Sequence, residues 1–336
     1  MKNIITIAVD AMGGENSPKK IIDGIDLSLK NYNFNFFKLY GNKDKLNLLL
    51  NEKPHLKKYC EIIHSDESIK DDESPLTAAK KNKSTSMWQA IESQISHKSQ
   101  ITLSAGNTGA LFILSRLILN MINGIDKPAL AGLWPNKTGM NVVLDLGANI
   151  ECSDKNLIDF SYMGAALYRS LYSEIEPKIA LLNVGLEEIK GNETIKKAYQ
   201  YLKKVDKKDF SFNGYIEGNQ IMDGNVNVII TDGFTGNVAL KTAEGTANFI
   251  IKSLKESMNK NLLNKISILL SLNALKNFKK RLDPRKYNGA ILLGLNGPVV
   301  KSHGSTDAKG LAYSIEMCNK IVKGNLIEKI KNNLKD

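Results

Sequence analysis

Apolar positions in this chain follow two periods that take turns. Short runs rich in β-branched residues predict strands at Ile4–Val9, Phe36–Tyr40, Cys60–His64, Ile101–Ser104, Pro128–Leu133, Asn141–Leu144, Ile179–Val184, Phe212–Ile216, Val226–Ile230, Ala290–Leu293 and Val299–Lys301. Between them the spacing turns helical. Ile21, Ile22, Ile25 and Leu29 mark one helix, with Ser17 placed as its N-cap and Pro18 as its first residue. Others are expected over 44–50, 110–121, 158–172, 194–202 and 308–323, and one carries Leu240, Ala243, Ala247, Ile250, Ile251 and Leu254. Residues 65–86 are polar and read as a solvent-facing connection or a mobile flap. Such alternation predicts an α/β fold, a Rossmann-like three-layer sandwich with a mostly parallel sheet, over a single domain 1–336 with a helical excursion at about 251–286.

In such sheets ligands bind beyond the carboxyl ends of the strands. Here those ends read Asp10-Ala-Met-Gly-Gly, Ser104-Ala-Gly-Asn-Thr-Gly, Asp145-Leu-Gly-Ala-Asn, Asp232-Gly-Phe-Thr-Gly-Asn and Lys301-Ser-His-Gly-Ser. Glycine lets backbone approach a ligand, and Asp, Asn, Ser and Thr supply hydrogen bonds. The turns are expected to converge on one crevice. The turn Gly233–Asn237 is expected to offer free N–H groups to an anion at a helix N-terminus, with Lys241 one turn further on.

Composition narrows the picture. The 336 residues are 42% apolar, and their formal net charge is +11. Residues 251–286 hold ten Lys or Arg against Glu256 and Asp283, a local balance of +8 that would attract an acidic protein, an anionic membrane or a nucleic acid. The apolar run at the N-terminus is too short for a signal peptide, and no stretch of 18 apolar residues predicts a spanning helix. Cys60, Cys152 and Cys318 are scattered and odd in number, so neither zinc nor a disulfide framework is expected, and a cytoplasmic chain with reduced thiols is.

The common nucleotide signatures are missing. No two of the 25 glycines are separated by one residue, which excludes G-x-G-x-x-G, and there is no P-loop, G-x-S-x-G elbow or H-E-x-x-H. What remains fits a small oxyanion beside an acyl carbonyl. Phosphate calls for N–H donors and a cation, with charged hydrogen bonds contributing about 1.5–3 kcal/mol each. Lys301 and His303 stand where a cation and a proton carrier can act, although His303 can equally brace its turn, Lys241 can be a solvated helix lysine, and Asp10, Asp145 and Asp232 can each be turn formers.

Six blocks, in order, resemble the PlsX family, the bacterial acyl-acyl-carrier-protein:phosphate acyltransferases: Ile7-Ala-Val-Asp-Ala-Met-Gly-Gly14, Ser104-Ala-Gly-Asn-Thr-Gly-Ala110, Leu144-Asp-Leu-Gly-Ala-Asn149, Leu182-Asn-Val-Gly185 with Glu188-Ile-Lys-Gly-Asn192, Thr231 to Lys241, and Gly294 to Ser305. The resemblance implies an isocitrate-dehydrogenase-like or phosphate-acetyltransferase-like sandwich, a homodimer, and a cytoplasmic enzyme touching the membrane peripherally. It also implies transfer of a long-chain acyl group from acyl carrier protein to inorganic phosphate, giving acyl phosphate for a glycerol-3-phosphate acyltransferase, with no metal or organic cofactor. Glu15 and Leu186 depart from the family's usual Asp and polar residue.

On this reading His303, Lys301 and Asn107 are the catalytic candidates. Asp10, Gly13, Gly14, Thr108, Asp145, Asn149, Asp232, Gly233, Thr235, Gly236, Asn237, Lys241 and Ser305 are expected around phosphate and acyl group. Leu262, Ile266, Leu269, Leu270, Lys276, Lys279 and Lys280 are expected to meet an anionic membrane or the carrier protein, or to pack a dimer. An acyl-CoA-dependent phosphate acetyltransferase-like enzyme is the alternative. A nucleic-acid-binding role is disfavoured, because only Phe278 and Tyr287 accompany the basic segment.

Overall fold

The structure is a computed structural model that describes residues 4–32, 34–80, 83–172, 175–205, 209–259 and 283–335. Eleven strands form one sheet: β1 Ile5–Asp10, β2 Asn35–Gly41, β3 Cys60–His64, β4 Ile101–Ser104, β5 Ala129–Pro135, β6 Met140–Leu144, β7 Lys178–Leu182, β8 Ser211–Ile216, β9 Val228–Ile230, β10 Ala290–Leu293 and β11 Val299–Lys301. Their spatial order is β3-β2-β1-β4-β11-β10-β5-β6-β9-β7-β8. On one face lie α1 (Lys19–Leu29), α2 (Lys43–Glu52), α6 (Asp154–Leu171), α7 (Glu193–Leu202) and the closing helices Ala308–Lys323 and Leu326–Lys335. On the other lie α3 (Pro75–Lys80), α4 (Ser86–Ile95), α5 (Thr108–Leu119) and α8 (Gly233–Asn259).

Period-two burial explains the layering. Ile7 and Val9 of β1 pack into the large core under α1, while Ala8 between them faces Ala90 of α4. The predicted strands all form, with ends shifted by a few residues. Local signals for α1 were misread. Ser17 does not cap it; its hydroxyl donates to the Gly13 carbonyl (2.6 Å) and the helix begins at Lys19. The polar stretch 65–86 is also more than a loose connection, because Ile69 ahead of α3 and Ala78 on it are buried in the core with residues of α5.

The decisive feature is strand direction. From β5 the chain turns at 136–139 straight into β6, and a four-residue turn makes the pair antiparallel. The strands β6, β7, β8, β9 and β10 therefore run opposite to β1–β5. A second hairpin, from β10 to β11, restores the first direction. Seven of the ten strand pairings are still parallel.

The expectation of one shared crevice fails for this reason. Asp10, Ser104 and Lys301 end β1, β4 and β11 side by side, in register, at one edge. The turns after β6 and β9, with Asp145 and Asp232, leave from the opposite edge. Among the described residues no helix is long and apolar enough to cross a membrane. Leu262, Ile266, Leu269, Leu270, Lys276, Lys279 and Lys280 lie outside the described residues.

Candidate active site

At the first edge three turns touch. Gly13 packs so closely on Gly106 that a Cβ there would sit 2.6 Å from the Gly106 nitrogen. Gly14, at φ +82°, faces the Ala105 and Gly304 carbonyls and the Lys20 ammonium, so a side chain is excluded both by space and by backbone conformation. The Glu15 N–H donates to the Gly304 carbonyl (3.0 Å), which ties the first turn to the last. Beneath them Asp10 is buried and accepts from the hydroxyls of Ser86 (2.6 Å) and Ser104 (2.8 Å). Burial raises its pKa, while the two hydroxyls, the Met12 N–H and nearby Lys301 work against that rise.

Two lysines are buried here. Lys301 is 8% exposed and donates to the carbonyls of Ser302 (2.5 Å) and Ala105 (3.4 Å). Lys20, which the sequence reading passed over, is 5% exposed and donates to the Gly304 carbonyl (2.5 Å). Neither makes an ion pair among the described residues. Burial pulls Lys301 down to about 8, reinforced by Lys20 and opposed by Asp71 and Asp10. Burial likewise lowers Lys20, opposed by Asp71 and Glu15. Buried cations normally come paired with an acid; the hydrogen bonds of these two go to carbonyls, and the acids act only through space.

His303 stands exposed at the mouth. Its N–H donates to Asn288 Oδ1 (2.9 Å), and Asn288 Nδ2 reaches the hydroxyls of Ser302, Thr306 and Ser314, which fixes the loop after β11. The Ser305 N–H (3.3 Å) and hydroxyl (3.0 Å) face His303 Nδ1. A backbone N–H can only donate, so Nδ1 is the acceptor and the neutral ring carries its proton on Nε2. Burial and then Lys301 depress the His303 pKa, which keeps the ring neutral. Lys241 and Glu244 of α8 bias the same ring through space in opposite directions.

Asn107 is differently employed than expected. Its Oδ1 caps α5 by accepting from the Ala110 N–H (3.0 Å), and its Nδ2 donates to the carbonyls of Asp71 (3.0 Å) and Glu73 (2.8 Å). Both amide hydrogens are spent, leaving none for an oxyanion. Asn107 instead straps segment 71–73 beside the lysines. Thr108 is the exposed first residue of α5.

The second edge has its donors already used. Asp145 is fully buried and accepts from the N–H groups of Leu130, Gly147, Ala148 and Asn149 and from Asn149 Nδ2, at 2.7–3.2 Å. Asn149 also donates to the Pro128 carbonyl (2.7 Å). Asp232 accepts from the Thr235 N–H and hydroxyl, both at 2.8 Å, and so caps α8. The Gly233 N–H goes to the Asn149 carbonyl (2.8 Å) and the Gly236 N–H to the Asp232 carbonyl (2.9 Å). The expected ring of free amides at Gly233–Asn237 is therefore not there. Gly233 and Gly236 are needed because the Asp145–Asn149 turn presses on them, and Asn237 lies against Gly147. Lys241 is exposed and paired with Glu244 (2.8 Å). A depression of about 550 Å³ between Ile150, Cys152, Ile195, Asp232 and Phe234 opens at this edge, without a cation in its lining.

Comparison with known proteins bears directly on this geometry. A family described as fatty acid synthesis protein matches residues 5–329. The chain is 60% identical to a phosphate acyltransferase of Pelagibacter ubique over 99% of this chain and 100% of that one. It is 41% identical to the phosphate acyltransferase of Parvibaculum lavamentivorans, covering 98% and 91%. The chain belongs to the PlsX family of phosphate acyltransferases. Like its family it is an acyltransferase of fatty acid and phospholipid synthesis. Among solved structures it resembles the EutD phosphotransacetylase of Staphylococcus aureus (TM-score 0.62, 14% identity, 96% and 94% covered) and a phosphotransacetylase of Streptococcus pyogenes (TM-score 0.63, 15%, 97% and 94%). At such identity the likeness is one of fold.

For a PlsX-family acyltransferase, the first edge supplies what the chemistry asks. It has buried positive charge for an anionic nucleophile, and beside it a neutral imidazole whose Nε2–H can donate to a developing oxyanion. The second edge is a folded scaffold whose Asp232 caps the start of α8.

Proposed function

We propose that inorganic phosphate binds at the first edge and attacks the thioester carbonyl of a long-chain acyl group carried by acyl carrier protein. A carbon–oxygen bond forms, the carbon–sulfur bond breaks, and the thiolate of the carrier's prosthetic arm leaves and takes up a proton. The products are acyl phosphate and free carrier protein. Lys301 holds the phosphate, and the Nε2–H of His303 stabilises the tetrahedral oxyanion. A phosphate anion is nucleophilic without a covalent enzyme intermediate, so positioning and oxyanion stabilisation carry the rate. The observation behind this reading is the burial of Lys301 with carbonyls as its hydrogen-bond partners and no ion pair among the described residues, Asp71 and Asp10 acting only through space.

The same proposal treats the chain as one α/β domain acting as a homodimer in the cytoplasm. Its basic segment 251–286 meets an anionic membrane surface or the acidic carrier protein, and a glycerol-3-phosphate acyltransferase consumes the product.

The test is to incubate the protein with palmitoyl-acyl carrier protein and labelled inorganic phosphate and look for acyl phosphate. Product that needs both substrates supports the reading. Product from palmitoyl-CoA alone replaces it with an acyl-CoA-dependent phosphate acyltransferase. Lys301→Ala lowers kcat/KM for phosphate by about a hundredfold, the scale of a lost charge-assisted contact of about 3 kcal/mol. Unchanged phosphate kinetics remove Lys301 from the site.

A further inference from the structure

Lys20 is the charged residue that the fold explains least. It lies in the first turn of α1, and within that helix it belongs to the buried face with Gly24 and Ser28 at four-residue spacing. Gly24 is small because Leu311 of the closing helix Ala308–Lys323 presses on it. The long side chain is therefore largely, though not wholly, covered. It runs to the strand ends, where its ammonium meets the Gly304 carbonyl (2.5 Å) and lies 2.9 Å from where Gly14 would carry a Cβ.

That point is tightly surrounded. The same missing Cβ of Gly14 would lie 2.7 Å from the Ala105 carbonyl and 3.0 Å from the Gly304 carbonyl. The Ala105 carbonyl is also a partner of Lys301. Two ammonium groups thus flank one glycine, each using carbonyls as acceptors and neither ion-paired among the described residues. Lys20 spends one of its three N–H donors in this way. A buried like-charge pair is costly in an empty protein and favourable around a doubly charged anion.

We infer that Lys20 is a second phosphate ligand, so that the nucleophile sits between Lys20 and Lys301, over the glycine of the first turn. This deepens the acyl-transfer reading and rests on it for the identity of the anion as nucleophile. Gly14 lets Lys20 come this close, because a side chain there would meet its ammonium. Asp71, strapped nearby by Asn107, supplies a negative charge that both lysines feel while no anion is bound. The geometry also assigns the task that Lys241 does not perform, since Lys241 is exposed and engaged by Glu244.

Two experiments read this separately. In the first, the wild-type protein is reductively methylated with and without inorganic phosphate, and modification is read peptide by peptide by mass spectrometry. Phosphate protects Lys20, while exposed Lys19 is labelled alike in both samples. Equal labelling of Lys20 overturns the inference. This arm needs neither a variant nor turnover. If protection is seen but palmitoyl-acyl carrier protein yields no acyl phosphate, the anion site stands and the acyl-transfer reading falls.

The second experiment compares Lys20→Met with Lys20→Arg. The methionine variant raises the phosphate KM about tenfold to a hundredfold, and the carrier-protein KM is unchanged. The arginine variant recovers part of the loss. A folded Lys20→Met protein with the wild-type phosphate KM also overturns the inference.

Discussion

The two edges of the sheet look alike on paper and differ in what they leave unspent. Each presents an aspartate at a strand end, glycines, and an Asn or Thr in the turn. At the second edge Asp145 collects four backbone N–H groups and an amide, and Asp232 caps α8, so both carboxylates serve their own turns. At the first edge Asp10 is similarly occupied by Ser86 and Ser104, but two buried ammonium groups remain that hydrogen-bond to carbonyls and make no ion pair among the described residues. A site shows itself by charge that the fold has not neutralised. A motif's residue types alone do not distinguish the two cases, because the same types close a turn.

The sharpest way to break this contrast is Asp145→Ala. Four N–H donors would lose their acceptor in a buried turn, and the fold should weaken by about 3–5 kcal/mol, seen as a lower urea midpoint. At a temperature where the variant remains folded, its phosphate KM should match wild type. A selective rise in phosphate KM would return the second edge to the active site.

The first edge should instead reveal itself in a pH profile. With Lys301 near 8, its ammonium is intact below that pH and lost above it. The kcat/KM for phosphate should therefore hold its charge-dependent component up to about pH 8 and fall toward tenfold per unit beyond it. In Lys301→Ala that alkaline limb should vanish. Persistence of the limb would place the titrating group elsewhere.

Smaller effects separate the parts of α8. Gly245 has open space where its Cβ would be, so Gly245→Ala should add about 0.5–1 kcal/mol of stability through helix propensity. Gly236 is enclosed by Asp145 and Thr231; the same change there should destabilise, and equal urea midpoints for the two variants would contradict the packing described. Smallest of all, Lys241→Ala should alter the phosphate KM by less than about threefold, because an exposed i,i+3 ion pair contributes little. A tenfold change would restore Lys241 as a phosphate ligand.

Much of this fold was legible from periodicity. The turns after β1, β4 and β11 were expected to meet, and their strands pair as in-register neighbours. Strand direction was not read, although the signal was present: a turn as short as 136–139 between two strands cannot return the chain parallel. Lys20 was missed because a lysine in a first helical turn ordinarily meets water. Its clue was the spacing Lys20, Gly24, Ser28, which puts it on the packed side with two small residues. Asn107 was given a chemical task because its amide can donate, and only the partners at Asp71 and Glu73 show that the amide is already committed.

Helix α8 has a mechanical consequence. Its 27 residues make a rod about 40 Å long, anchored at one tip by Asp232 and the Asp145 turn. Its inner turns lie on the sheet through Ala239, Leu240 and Ala243, and beyond Glu244 it stands largely clear. A rod hinged at one tip multiplies displacement with distance. A tilt of about 5° at the cap would carry the far tip roughly 3–4 Å, while Lys241 and Glu244, a third of the way along, would swing only about 1 Å. Whatever grips the distal end of α8 therefore holds the long arm of a lever whose inner turns lie on the sheet.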